Sequence, residues 1–170
     1  MPFNRCRLSP RNYDEQGEPF GRITSNDERL RADSEWPAGS ARLTSDVDIV
    51  YERSRANIEC LVEALALLKP YLRGAPPDLP FRFDVETVRR GLNFTLTTDA
   101  GPLDVLGEIT GVGDYDSVLA VSEDVLLFGS TYRCINLDSL IVSKRAAGRP
   151  KDLEAVAELE LIRDEKLNET

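Results

Sequence analysis

A change of period at Ser54 constrains this chain more than any other feature. Before it, Val47, Ile49 and Tyr51 alternate with Asp46, Asp48 and Val50, the two-residue repeat of a strand with one buried face. After it, Ile58, Leu61, Val62, Leu65 and Leu68 recur at three- and four-residue steps, the repeat of a helix with one apolar face, which Ser54 is placed to cap. Pro70 and the stretch Gly74-Ala-Pro-Pro-Asp-Leu-Pro80 then break regular structure. Two strands follow, Asn93 to Thr98 and Leu103 to Glu108, and Asp99-Ala-Gly-Pro102 between them is turn chemistry, which predicts an antiparallel hairpin. Short strands are predicted at Val125 to Phe128 and Tyr132 to Ile135, joined through Gly129-Ser130. A helix over Leu137 to Ala147 should end at Gly148, with Pro150 as a stop signal. Asp152 should cap a last helix to about Asp164, with Leu153, Val156, Leu159 and Ile162 on one face.

The expected fold is therefore α/β (α+β), a small mixed sheet flanked by helices, over residues 37–164, with no internal repeat. Residues 1–36 are expected to form a poorly ordered or atypical N-terminal segment, because their apolar residues are sparse and aperiodic, although a short helix could form around Asp27 to Ala32. Residues 165–170 form a C-terminal tail. With 170 residues there is room for one such domain.

Composition narrows the chemistry. The chain has no His, which removes imidazole catalysis, Ser-His-Asp chemistry and His-ligated zinc. Cys6, Cys60 and Cys134 are odd in number and far apart, so no disulfide framework or paired-thiol metal site can be read from them, and a reducing compartment is expected. A net charge of -9 argues against a broad nucleic-acid coat, though not against a local basic patch. The apolar stretches are too short for a membrane span, and the N-terminus lacks a signal peptide's apolar run, so a soluble cytoplasmic protein is expected. The remaining options are carboxylates, Lys, Arg, hydroxyls and a hard metal ion.

Asp46 and Asp48 stand two apart on the first strand and so point to one face. Carboxylates held side by side repel, and a divalent cation between them relieves the repulsion; two solvated carboxylates on an edge strand is the plainer alternative. Asp104, in Pro102-Leu-Asp-Val-Leu-Gly107, sits in a strand where Asp is disfavoured. It either joins Asp46 and Asp48 from a neighbouring strand or caps the hairpin after Pro102. Three carboxylates can hold two magnesium ions, one activating a hydroxyl and one steadying a leaving pyrophosphate. A second cluster, Lys144-Arg-Ala-Ala-Gly-Arg-Pro-Lys-Asp152, gathers four cationic side chains that could receive phosphate. Helix-dipole complementation accounts for Lys144 and Arg145, and an N-cap role for Asp152; neither accounts for Arg149 with Lys151. Gly39-Ser40 could bring backbone amides to a phosphate, or be a turn before a strand.

Gly39-Ser-Ala-Arg-Leu-Thr-Ser-Asp-Val-Asp-Ile-Val50, Leu103-Asp-Val-Leu-Gly107 and Lys144-Arg-Ala-Ala-Gly-Arg-Pro-Lys-Asp152, in that order, resemble the minimal nucleotidyltransferases of the polymerase-beta-like superfamily. The nearest group is the bacterial branch that includes AbiEii-type toxins of toxin–antitoxin systems. The resemblance spans roughly Gly39 to Ile162. It implies a nucleotidyltransferase fold and magnesium-dependent transfer of a nucleoside monophosphate from a nucleoside triphosphate to an acceptor hydroxyl on a tRNA end, a protein or a small molecule. Asp46 and Asp48 would be metal ligands and Asp104 the third carboxylate, which helps deprotonate the attacking hydroxyl. Gly39, Ser40, Lys144, Arg149 and Lys151 would meet the nucleotide or acceptor, and Asp152 would orient the cationic cluster. An antitoxin is an implied partner.

The sequence departs from the family pattern in one place. The family sets its Gly pair at the start of a helix, with a longer spacer before the Asp-x-Asp; here only Ala41 to Ser45 separate Gly39-Ser40 from Asp46. Counting back to the family position reaches Arg31-Ala32, and Asp33-Ser-Glu-Trp-Pro37 suits a loop. The implication is a metal site retained beside a missing phosphate cradle. Either the first 36 or so residues are a wrong reading frame or a recombined start, or the chain is a decayed enzyme that turns over poorly. The rival function is a non-catalytic interaction module of a toxin–antitoxin pair; a generic α/β domain with unrelated Asp residues is the third.

Overall fold

In the computed structural model of the chain, residues 46–127 and 130–168 are described. They fall into two compact units, residues 46–108 and 109–168, a division inside the single domain expected over 37–164. Residues 1–36 and the possible helix at Asp27 to Ala32 lie outside the described residues, as do Gly39 and Ser40.

The first unit carries the sheet. Strand β1 (Val47–Val50) leads into helix α1 (Arg55–Ala66), and Ser54 caps α1 by accepting the Asn57 N–H. Then come β2 (Tyr71–Leu72), helix α2 (Val85–Arg90), β3 (Asn93–Thr98) and β4 (Gly101–Leu106). The sheet order is β1-β4-β3-β2. Strand β1 runs parallel to β4, while β3 is antiparallel to both β4 and β2. A parallel pair needs a crossover between its strands, here the run through α1, β2, α2 and β3.

Alternation decides the faces. Ile49, Tyr51, Leu72, Phe94, Leu96, Leu103 and Val105 pack with Ile58, Leu61 and Leu65 of α1 and Val88 of α2; Tyr51, Leu61, Val88, Leu96 and Val105 are fully buried. The strand, the amphipathic helix and the hairpin stand where the residue pattern put them, but Val47, expected on the buried face of the strand, is exposed at its start. The hairpin loop is tighter than expected, since β4 begins at Gly101 and leaves only Asp99–Ala100 between the strands. At the far end of β4, Gly107 donates its N–H to the Leu92 carbonyl at 2.9 Å, and a Cβ there would stand 2.8 Å from that oxygen. The glycine is required by this close approach.

From Glu108 onward the described residues hold the two-stranded pairing of β5 (Glu108–Ile109) with β6 (Gly113–Asp114), helix α3 (Tyr115–Ala120), the antiparallel hairpin β7 (Ser122–Leu127) and β8 (Ser130–Ile135), and helices α4 (Leu137–Ala147) and α5 (Pro150–Asn168). Ile141 of α4 is buried with Val156 and Leu159 of α5, and Leu137 and Leu140 pack against them. Helix α4 has the expected bounds and ends on Gly148 at φ +64°, where a side chain would be strained.

Several expectations are corrected. Pro150 opens α5 where a stop was expected; its fixed φ and missing N–H suit the first helical position. Asp152 is the third residue of α5 and so does not cap it. Leu153, expected on the buried face, is half exposed. Helix α5 runs to Asn168, into the expected tail. Cys134 is a free thiol as expected, but Cys60 is disulfide-bonded. Sequence spacing does not say which thiols meet, so it gives no ground for a reducing compartment. Among the described residues, no helix is long and apolar enough to cross a membrane.

Candidate functional site

Parity in the sheet determines which side chains share the face opposite the core. Asp48 of β1 lies in register with Asp104 of β4, and Asp104 with Thr95 of β3. The Arg73 N–H, one residue beyond β2, donates to the Thr95 carbonyl at 3.0 Å and extends the row. Asp46 precedes Asp48 by two residues and shares its side of the chain. Asp104 sits in the body of β4, paired on both sides, so it is not a cap on the hairpin after Pro102.

Sequence reasoning passed over Arg73, the residue that organises this face. Its guanidinium donates to Asp104 Oδ1 at 2.8 Å and to Asp46 Oδ2 at 3.4 Å. Nε and one terminal nitrogen also donate to the Leu96 carbonyl, at 3.2 and 3.1 Å. The only local signal was that Arg73 shares parity with Tyr71, which puts it opposite Leu72; its partners lie 27 and 31 positions along the chain. The group is half-buried, with side-chain exposures of 31% for Arg73, 40% for Asp46 and 22% for Asp104.

The donor set is chemically suited to magnesium. Carboxylate oxygens are the ligands a hard divalent cation takes, and neighbouring strands stand about 4.8 Å apart, close enough for side chains in register to share one ion. It is not a finished cage: among the described residues, no three His, Cys, Asp or Glu side chains are grouped to hold a metal as they stand. Arg73 already engages two of the three carboxylates.

The cationic cluster belongs to the second unit, at the turn between α4 and α5. Asp152, only 3% exposed, accepts from Arg149 Nε at 2.5 Å and pairs with Lys144 Nζ at 3.6 Å. Burial pushes the Asp152 carboxyl up, but the Arg149 hydrogen bond and the charges of Arg149 and Lys144 outweigh it and hold the group below its ordinary value. Arg145 pairs with Glu160 farther along α5. Arg149, which neither the dipole nor a cap accounted for, thus has a structural partner, and Lys151 is exposed. Lys144, Arg149 and Asp152 are brought together, and so, separately, are Asp46 and Asp104 through Arg73, while Asp48 stands in register with Asp104.

Comparison of the chain with protein-family models, with curated proteins and with solved structures gives no match.

Proposed function

We propose that the chain is a magnesium-dependent nucleotidyltransferase of nucleotidyltransferase fold, moving a nucleoside monophosphate from a nucleoside triphosphate to an acceptor hydroxyl on a tRNA end, a protein or a small molecule. The observation that carries this reading is the register of Asp48 opposite Asp104, with Asp46 on the same side of β1. In it Asp46, Asp48 and Asp104 are the residues that would hold the metal, and the chemistry it would supply is neutralisation of the charge developed in phosphoryl transfer. The strands fix the carboxylates: β1 and β4 are hydrogen-bonded to each other, and their core residues are packed under α1. Such rigidity is what positioning and electrostatic stabilisation require. Asp104 is the residue that would help take the acceptor proton. Lys151 and the outward donors of Lys144 and Arg149 are the cations offered to phosphate, with Asp152 as their anchor.

A second reading is favoured by the ion pairs themselves. Arg73 satisfies Asp46 and Asp104 internally, and Asp152 satisfies Arg149 and Lys144. A module so paired needs no ligand, and would serve as an interaction partner in a toxin–antitoxin pair. Calorimetric titration of nucleoside triphosphates with magnesium into the wild type and Asp48→Asn separates the two. Saturable binding that needs both magnesium and Asp48 is expected of the enzyme. A well-folded wild type with no binding would leave the interaction module.

A further inference from the structure

Past the carboxyl ends of the parallel strands β1 and β4 the chain gathers cations that the carboxylate row does not use. Arg53 follows β1, and its guanidinium donates to the Gly91 carbonyl at 2.6 Å, the Arg89 carbonyl at 3.1 Å and the Tyr51 hydroxyl at 3.1 Å. All three acceptors are neutral, so the group is fixed in place without a counter-charge. Arg89 and Arg90, at the end of α2, both turn back on Glu86, with Nε to carboxylate distances of 3.0 and 2.6 Å. Three guanidinia thus share one carboxylate, and among the described residues none of the three has a second acidic partner. Glu52, next to Arg53 in the chain, accepts from the Ser54 hydroxyl instead. Leu92 completes the surface. It is 42% exposed, and its Cδ1 and the Cδ of Arg53 lie 3.0 and 3.2 Å from the point that a Cβ at Gly107 would occupy, so the two side chains flank the same glycine.

Complementing a helix end accounts for Arg53 on the α2 carbonyls. One cation meets that need, and a helix of six residues does not require two more crowded on one carboxylate, nor a leucine left open beside them. We propose that Arg53, Arg89, Arg90 and Leu92 form a docking surface for an acidic, partly apolar segment of a partner protein. Glu86 shows what these arginines accept, since its carboxylate bridges two guanidinia, a pairing for which Arg is well suited. Three of the five N–H donors of Arg53 are engaged, which leaves two for an incoming carboxylate. The charge of the whole chain favours a short acidic segment over a nucleic acid. A strand of many phosphates has to approach a net charge of -9, whereas a short segment meets mainly the local field. Leu92 adds a contact that an apolar side chain can cover. The surface is independent of whether the carboxylate row holds a metal.

The test is fluorescence anisotropy on the full chain with three labelled probes: a peptide of repeated Glu-Glu-Leu, its counterpart of repeated Glu-Glu-Ser, and oligouridylate. The leucine peptide should bind saturably and more weakly as salt rises. Arg89→Gln with Arg90→Gln changes two exposed positions outside the core and should weaken that binding about tenfold, the order expected for two lost ion pairs. Glu86→Gln frees both arginines and should tighten it about threefold, a gain that a purely structural role would not give. Leu92→Ser should weaken the leucine peptide and leave the serine peptide unchanged. No saturable binding of the leucine peptide, or binding that the double variant and Glu86→Gln both leave unchanged, would overturn the surface. Oligouridylate bound more tightly than either peptide, and released by the double variant, would overturn the protein partner and make the arginines a nucleic-acid contact.

Discussion

The buried carboxylate between α4 and α5 allows a sharp test of what the cationic cluster is for. Asp152 is 3% exposed and bonded to Arg149 and Lys144, whose side chains are 60% and 33% exposed. Removing both cations, as Lys144→Met with Arg149→Met, strands an uncompensated charge in the packed turn and should cost about 3–5 kcal/mol. Asp152→Asn takes away the anion while keeping the shape. The cations can then turn to water, so the cost should be smaller, about 1–2 kcal/mol for the lost charge-assisted bonds. The triple variant should be more stable than the double, because the stranded charge is gone. Urea unfolding at neutral pH measures all four proteins, and the sign of the triple-minus-double difference carries the argument. The pH dependence adds an independent check. The Asp152 pKa is held down in the folded chain, chiefly because the Arg149 hydrogen bond and the two cations outweigh burial, which acts upward. Its contribution is therefore complete above the unfolded carboxylate value of about 3.9 and is lost as pH falls through the folded value. The advantage of wild type over Asp152→Asn should be flat from about pH 5 upward and shrink in acid. A double cation variant as stable as wild type would refute the clamp and return Lys144 and Arg149 to phosphate binding alone.

Three further outcomes follow from the packing. Leu96→Ala, at a fully buried position in β3, should cost about 2–5 kcal/mol in urea unfolding. Gly148→Ala places a Cβ at φ +64° and should cost about 1 kcal/mol, seen as loss of helical circular dichroism at lower temperature. Tyr51 donates its hydroxyl to the Leu92 carbonyl at 3.2 Å and accepts from Arg53 at 3.1 Å; Tyr51→Phe should cost about 1 kcal/mol. Ultraviolet titration should find a phenol, absent from that variant, ionising above the ordinary tyrosine value, because burial raises Tyr51 more than Arg53 lowers it.

What could be read in advance was parity, and what could not was partnership. Ile49 and Tyr51 on one side of β1 and Leu103 with Val105 on one side of β4 each state locally which face is buried, although Val47, which shares the parity of the first pair, is exposed. They therefore also place Asp46, Asp48 and Asp104 on the other face, whatever the strands pair with. The register of Asp48 opposite Asp104 is a relation between segments 56 residues apart, and alternation alone allows several such pairings. Short elements escaped for a different reason. Helix α2 has six residues, too few to show a helical period, although Asp84, whose carboxyl accepts the Thr87 N–H at 2.9 Å, was a legible cap. The same holds for α3 with Asp114 and Ser117, while β2, β5 and β6 have two residues each. Pro150 was misread because Gly148 before it had already ended a helix; a proline after a helix end serves equally as the start of the next. Arg73 is the most instructive omission. Beyond its parity with Tyr71, nothing local separates it from any other Arg beside a glycine, and its significance lies in Leu96, Asp46 and Asp104, which only the folded sheet sets around it. A carboxylate pair in a sequence therefore suggests a cation without saying whether that cation comes from solvent or from the chain itself. In this sheet the cation that Asp46 and Asp104 share is an arginine of the chain itself.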